Sequence, residues 1–374
     1  MSLAMYITIG AVLVLYIFLM QSLAYFWIVI RDQTGQADAM RVGQVKASLI
    51  VACRNEEQNL ANLFACIENQ TARADQLEII IVDDYSTDNS LEILAKCADS
   101  SPFEVKILSL KEGEGKKAAI ALGVSKAVNP MLIFTDADCR FEKDWVVAHM
   151  HAFLDGNEFT SGPVMFEDEK TFWQRLMQLE FLGLIASGGA GIALKWNWMA
   201  NAANMSVSRD AYASAMTEVD GNQKASGDDA YLLASLSKQK AKIGFLKSRQ
   251  AMVQTSYEPS LKTFLNQRMR WASKGASYLK PMAKFSAIVI FLMNLIASFI
   301  PLIFWADGTL MIVIVLAIKL LADLWFYSFA LSFFGKKKLL GYVIPAQIFH
   351  IPYVVLTAIL GSFLKYNWKG RETR

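Results

Sequence analysis

The chain has 374 residues, of which 54% are hydrophobic, and its formal net charge is +3. That length leaves room for one soluble domain plus several membrane spans, and the composition is too apolar for an ordinary globular enzyme. The small net charge gives no global argument for nucleic-acid binding. Three scattered histidines and four cysteines (Cys53, Cys66, Cys97, Cys139) fit neither a metal cluster nor a disulfide framework. Unpaired cysteines suit a reducing cytosolic face.

Residues 5–30 are almost uninterrupted apolar sequence, about 26 residues against roughly 20 needed to cross a bilayer. A cleaved signal peptide has a shorter apolar core and a basic start, so a span is expected here. Arg31, Arg41 and Lys46 follow, and the positive-inside rule then places the next domain on the cytoplasmic side of the cell membrane. Residues 33–44 form the tether.

From Lys46 the pattern alternates. ASLIVAC reads as a strand and 56–70 as a helix. LEIIIVDD is a strand ending in two carboxylates, and 89–98 is helical. FEVKILSL is a strand, and 116–127 is a helix entered through the Gly- and Lys-rich GEGKK. MLIFTDAD is another strand ending in carboxylates. Strands separated by such helices predict an α/β fold with a mostly parallel, doubly wound sheet. Ligands of such sheets bind beyond the carboxyl ends of the strands, where Asp83, Asp84, Asp136 and Asp138 fall and are expected to be exposed.

After Phe141 the alternation weakens. Residues 170–184 look like an amphipathic helix, and 183–191 are rich in small residues. Aromatics crowd this region (Phe172, Trp173, Phe181, Trp196, Trp198), as they do in cores, at bilayer interfaces and against sugars. Residues 261–279 form a helix expected to rest on the membrane surface. Three apolar stretches follow, 285–305, 309–334 and 339–364, with a turn at 306–308 and a basic loop at 336–338. Lys319 and Asp323, one helical turn apart, are a structural pair or a headgroup site. Plain span counting puts the basic tail outside. Pro345 and Pro352 break the last stretch, so a kinked or re-entrant element returning the tail to the cytoplasm is preferred. The expected divisions are 1–31, 46–260, 261–284, 285–364 and 365–374.

Asp136 and Asp138 end one strand a single residue apart. Two carboxylates that close repel unless a cation or donor lies between them. Mg²⁺ or Mn²⁺ bridging a diphosphate is one solution, and a solvated loop capping the next helix is the other. Asp84 and Asp83 can accept hydrogen bonds from a nucleobase or ribose, and Asp88 is a helix cap. Lys116 or Lys117 neutralises phosphate or forms a solvated turn. Asp228 and Asp229 are a second acidic pair. One carboxylate beside another is pushed upward, which suits a general base, although AYLLASL after it also allows helix capping. QRMRW places two cations and a tryptophan in five residues, suited to phosphate or to an interfacial anchor.

Together VACRNEE, IIIVDDYSTDNS, IFTDADC, SGDDAYLL and QRMRW resemble a membrane-integrated, inverting family-2 glycosyltransferase with a GT-A fold. That group includes cellulose, hyaluronan and poly-N-acetylglucosamine synthases. The resemblance covers roughly residues 46–280. It implies that Asn55, Glu56 and Asp84 hold the uridine of a UDP-sugar, with Asp83 beside them. It implies a nucleotide–metal site at Asp136 and Asp138 with Mg²⁺ or Mn²⁺, and Asp229 as base beside Asp228. It implies that Gln267, Arg268, Arg270 and Trp271 cap the diphosphate and the acceptor end. NAANMSVSRDAY (201–212) resembles the segment near donor sugar and acceptor. Two departures stand out: Ala121 replaces an expected Asn after the GK turn, and the base motif is Asp-Asp rather than Glu-Asp. The implied partners are a nucleotide sugar, a lipid or glycan acceptor, the membrane and a homo-oligomer mate, with no nucleic acid. A processive polysaccharide synthase, a non-catalytic scaffold and a nucleotidyl- or phosphotransferase are the rival readings.

Overall fold

The computed structural model describes residues 3–31, 39–218, 228–278, 280–303, 309–363, 366–368 and 371–373. In chain order, α1 (Leu3–Val29) and the single turn α2 (Ala39–Val42) precede β1 (Ala47–Cys53) and α3 (Leu60–Glu68). Then come β2 (Leu77–Asp83), α4 (Ser90–Ser100), β3 (Glu104–Ser109), α5 (Lys116–Lys126) and β4 (Met131–Asp136). The pair β5 (Arg140–Phe141) leads to α6 (Trp145–Leu154), β6 (Phe159–Ser161), β7 (Val164–Phe166) and α7 (Phe172–Ala193). The sheet resumes with β8 (Met205–Ser208), followed by α8 (Arg209–Glu218), α9 (Asp228–Lys238), β9 (Ile243–Phe245) and β10 (Val253–Thr255). Helices α10 (Leu261–Tyr278), α11 (Pro281–Ile303), α12 (Thr309–Phe333) and α13 (Val343–Phe363) end at a hairpin of β11 (Tyr366–Trp368) and β12 (Arg371–Thr373).

The chain forms two compact units. The first is Met1–Val29, Asp168–Trp198 and Glu258–Arg374; the second is Ile30–Glu167 and Met199–Tyr257. The continuous soluble domain expected at 46–260 is therefore interrupted: residues 168–198 belong to the helical unit.

The second unit is a seven-stranded sheet of order β3-β2-β1-β4-β8-β6-β9 beside a three-stranded sheet, β5-β10-β7. β1 runs parallel to β2 and β4, and β2 parallel to β3, while β8 is antiparallel to β4 and β6. β1 and β2 are central and buried on both faces, which is why they read as unbroken apolar runs. One face packs Ile50, Ile80, Val82 and Phe134 under α5 and α9. Gly123 permits the close approach of α5, since a Cβ there would lie 2.7 Å from Ile50 Cγ2. Register aligns Cys53 with Asp83 and Ala52 with Asp136, so the strands end along one edge.

In the helical unit α1 packs on α12, α7 and α11, and α13 runs beside α10 and α11. Lys319 and Asp323 pair at 2.9 Å and are buried; Asp323 also accepts from Tyr16 and from Gln347 (3.0 Å), and Lys319 donates to Gln347 at 2.7 Å. The pair is thus a satisfied joint between α1, α12 and α13. The helix α13 runs without a break, correcting the expected interruption. Pro345 falls in its first turn, where amides have no intrahelical acceptor, and Pro352 is absorbed inside it.

Among the described residues five helices are long and apolar enough to cross a membrane: α1, α7, α11, α12 and the stretch containing α13. The sequence suggested four, and α7 is longer than the expected 170–184. Its glycines are helical, not a loop: Gly183 faces Tyr327, whose hydroxyl would lie 2.4 Å from an added Cβ. Connectivity forbids α7 to make a single crossing. The segments on either side of it are hydrogen-bonded to each other, Gly162 N–H to the Asn204 carbonyl at 2.7 Å, and cannot lie on opposite faces of a bilayer.

Candidate active site

The carboxyl edge of β1, β2 and β4 gathers Asn55, Glu56, Asp83, Asp84, Asp136 and Asp138. Not all are presented to solvent. Asp83 is 3% and Asp84 2% exposed, which corrects the expected open pair. The reason is backbone satisfaction at a central strand end. Asp83 accepts the Ser86 N–H at 3.3 Å. Asp84 accepts the N–H of Gly115 at 2.9 Å, and Arg54 lies 3.7 Å from its carboxylate. Gly115 adopts φ 88°, a left-handed conformation that lets GEGKK turn its amide toward Asp84 at the start of α5. Asn55 Oδ1 accepts the Thr87 N–H at 2.8 Å, and Glu56 accepts from Asn59 at 2.8 Å. Asp88 accepts from Ser90 and Glu57 amides at 3.1 and 3.2 Å, but the cap of α4 is Asn89, one residue beyond the expected one.

Asp136, Asp138, Lys116 and Asp229 remain partly open. Lys116 forms an ion pair with Asp136. Burial works against its charge, yet Asp136 and then Asp229 hold Lys116 above its ordinary value, which places all three within one electrostatic neighbourhood. Asp138 accepts from Thr255 Oγ1 at 2.9 Å. Burial, and then the Asp136 charge, push its carboxyl up to about 6. Two crowded carboxylates, one of them disfavoured as an anion, are what a cation would relieve. No group of three or more His, Cys, Asp or Glu side chains that could hold a metal occurs among the described residues. The two aspartates nevertheless fit a hard divalent ion that takes its other ligands from phosphate and water.

Asp229 stands in the first turn of α9. Its Oδ1 accepts the Ala230 N–H at 2.8 Å and its Oδ2 the Ala202 N–H at 3.3 Å. The Asp228 side chain lies outside the described residues. The turn Ala202–Asn204 that reaches Asp229 also ties to β4, where Thr135 Oγ1 donates to the Ala203 carbonyl at 2.9 Å. Asn204 fixes this turn. It is fully buried, donates to the Pro163 and Ala251 carbonyls (2.8 and 2.7 Å), and lies against Trp145 Nε1 (3.1 Å) and His149 Nε2 (2.9 Å) through Oδ1. Burial drives His149 down to about 4, so it is neutral at pH 7. Sequence reasoning set His149 aside as scattered and overlooked Thr255, Arg54 and Asn204. Only Arg54 and Asn204 stood inside quoted motifs.

Gln267, Arg268, Arg270 and Trp271 belong to the helical unit. Arg268 is 3% exposed and grips Glu180 of α7 through Nε (3.0 Å) and Nη2 (2.6 Å). Its guanidinium lies over the rings of Trp271 (4.2 Å) and Phe264 (4.6 Å). Gln267 accepts from Arg268 and donates to Glu258 at 2.6 Å. The expected phosphate contact of Arg268 is thus replaced by a buried carboxylate.

The sheet order and its carboxylate edge are those of a GT-A fold. In sequence, residues 48–213 match the model of Glycosyl transferase family 2. The fold resembles that of a mannosyltransferase from Pyrobaculum calidifontis solved with GDP-Man and Mn²⁺. The TM-score is 0.55 at 15% identity, over 95% of this chain and 99% of that one. A dolichol-phosphate mannosyltransferase of Pyrococcus furiosus is 28% identical over 118 residues, 32% of this chain and 33% of the relative. An undecaprenyl-phosphate 4-deoxy-4-formamido-L-arabinose transferase of Yersinia pestis (strain Pestoides F) is 30% identical over 115 residues, 30% of this chain and 34% of the relative. The chain thus spans about a third of the length of these curated relatives.

Proposed function

We propose that the chain is a membrane-bound inverting glycosyltransferase that moves a sugar from a nucleoside diphosphate donor, a UDP-sugar, to a lipid or glycan at the membrane surface. The observation that carries this is the placement of Asp136, Asp138, Lys116 and Asp229 at the carboxyl edge of a GT-A sheet. Long apolar helices in the same chain and the lipid-phosphate names of two relatives support a lipid acceptor. The catalytic domain faces the cytoplasm of the cell membrane, on the charge pattern after α1.

Asp229 takes the proton of the acceptor hydroxyl. The Ala230 and Ala202 amides hold its two oxygens, and Oδ2, with the longer bond, is the one assigned to receive the proton. The acceptor oxygen attacks the anomeric carbon opposite the diphosphate; the bond to the diphosphate breaks and the nucleotide leaves with the electron pair. Asp136 and Asp138 would hold Mg²⁺ or Mn²⁺, which when bound supplies positive charge to the leaving diphosphate. Lys116 adds a fixed cation. Asn55, Glu56 and Asp84 shape the nucleoside end.

Purified membranes offered radiolabelled UDP-glucose, UDP-galactose, UDP-N-acetylglucosamine and GDP-mannose, with product sizing, test the reading. Transfer of one sugar to a lipid-extractable product is expected, lost in EDTA. Asp229→Asn is expected to keep nucleotide binding and lose transfer by about 10²-fold or more, the scale of a general base. Full activity in EDTA removes the metal assignment, and lost nucleotide binding moves Asp229 to the donor site. A long polymer product would favour the processive reading instead.

A further inference from the structure

Two non-glycine residues with left-handed backbone stand at neighbouring strand ends: Asn55 (φ 52°) after β1 and Tyr85 (φ 54°) after β2. Asparagine visits this region readily, whereas a bulky aromatic there is an outlier. The strain at Tyr85 is pinned from both sides. Buried Asp83 accepts the Ser86 N–H at 3.3 Å. Ser86 Oγ accepts the Asn55 N–H at 3.0 Å, and Asn55 Oδ1 accepts the Thr87 N–H at 2.8 Å. Backbone strain persists where surroundings over-determine it, and it gathers at ligand clamps. The ring so held is 43% exposed and makes no hydrogen bond or ring contact among the described residues. Packing of the domain therefore does not account for an aromatic at this position.

Its neighbours have complementary chemistry. The preceding residue, Asp84, supplies a carboxylate, and Arg54 Nη1 donates to the Asp84 carbonyl at 2.7 Å. An aromatic face, a planar guanidinium and a carboxylate at one strand end suit a flat heterocycle. Its faces stack on the ring, while buried Asp84 holds Arg54 in place beside it. We propose that Tyr85 is a stacking platform for the donor's nucleobase, held out from the sheet by the strained turn that Asp83, Ser86 and Asn55 lock. Uracil and guanine both offer such faces. The proposal rests on the donor-site reading above.

Calorimetry on the full chain in detergent with Mg²⁺, using UDP, GDP and pyrophosphate, tests it. Tyr85→Phe keeps the ring and is expected to bind the preferred nucleotide within about threefold of the parent. Tyr85→Gly and Tyr85→Asn both suit the left-handed backbone and lack the ring; they are expected to weaken nucleotide binding about tenfold or more, the scale of one base stack. Pyrophosphate affinity should stay unchanged, and the Tm should not fall, since either residue relaxes the turn. Unchanged nucleotide binding in both variants overturns the platform, and so does an equal loss for pyrophosphate. A parent chain that binds neither nucleotide overturns the donor-site reading itself and this inference with it.

Discussion

At the scale of residues, the candidate site depends on fully buried supporting side chains. Asn204 has both amide hydrogens donated to carbonyls and its oxygen set against two ring nitrogens, so the turn below Asp229 is held on every side. His149 makes that arrangement sensitive to pH. Burial lowers its pKa to about 4 in the folded chain, against about 6.5 when unfolded. The unfolded state then binds more protons between those values. The stabilisation is complete above about 6.5 and is lost progressively toward 4, about 3 kcal/mol in all. Melting curves from pH 7 to 4.5 should fall more steeply for the parent than for His149→Gln, which cannot protonate. Equal slopes would contradict this. The pairing of Asp138 with Thr255 was not legible in the sequence because the partners are 117 residues apart. Nor was the burial of Asp83 and Asp84, because an exposed and a buried Asp-Asp at a strand end are spelled the same way.

At the scale of elements, β1, β2 and β4 were legible because central parallel strands are apolar on both faces and end where carboxylates begin. Helix α7 was misread as a short amphipathic helix followed by a small-residue stretch. Its apolar residues lie on all sides, as in any helix buried by neighbours, and its glycines serve close approach to Tyr327 and Trp198. Glu180 in the middle of α7 was passed over for the same reason: an isolated acid in an apolar run has meaning only once Arg268 is placed against it. That pair joins α7 to α10, and Tyr353 of α13 adds a further bond to Glu180 at 3.4 Å. Glu180→Ala leaves Arg268 buried without its carboxylate and is expected to cost about 3–5 kcal/mol. The double change Glu180→Leu with Arg268→Met should recover most of that loss in thermal melts of the detergent-solubilised chain. A single variant as stable as the parent would show the pair to be dispensable.

At the scale of the whole molecule, the helical unit is tied together by its own loops. Lys336, between α12 and α13, pairs with Asp168 and Glu169 before α7 at 2.8 Å, all three within the helical unit. Helix α13 then runs along α10, and the terminal hairpin touches α10 as well. The tail is expected on the cytoplasmic side, in keeping with its basic residues. A cysteine introduced by Thr373→Cys should resist an impermeant thiol reagent on intact cells and react after permeabilisation. Labelling of intact cells would mean that α13 crosses fully.

The excursion of residues 168–198 out of the sheet unit also has a consequence for how the protein is made. The ribosome delivers β1 to β4 early, but β8, which covers the open edge of β4, comes only after α7 has been synthesised. Until then a nascent chain carries an unpaired strand edge, and then an apolar helix as well, both prone to stick to other chains. With α1 lodged in a membrane, as proposed above, α7 can reach the lipid or α1 before the sheet is finished. On that reading, lodging of α7 and completion of the sheet are interleaved in time, and a delay in lodging α7 would leave the half-built sheet exposed to aggregation and proteolysis.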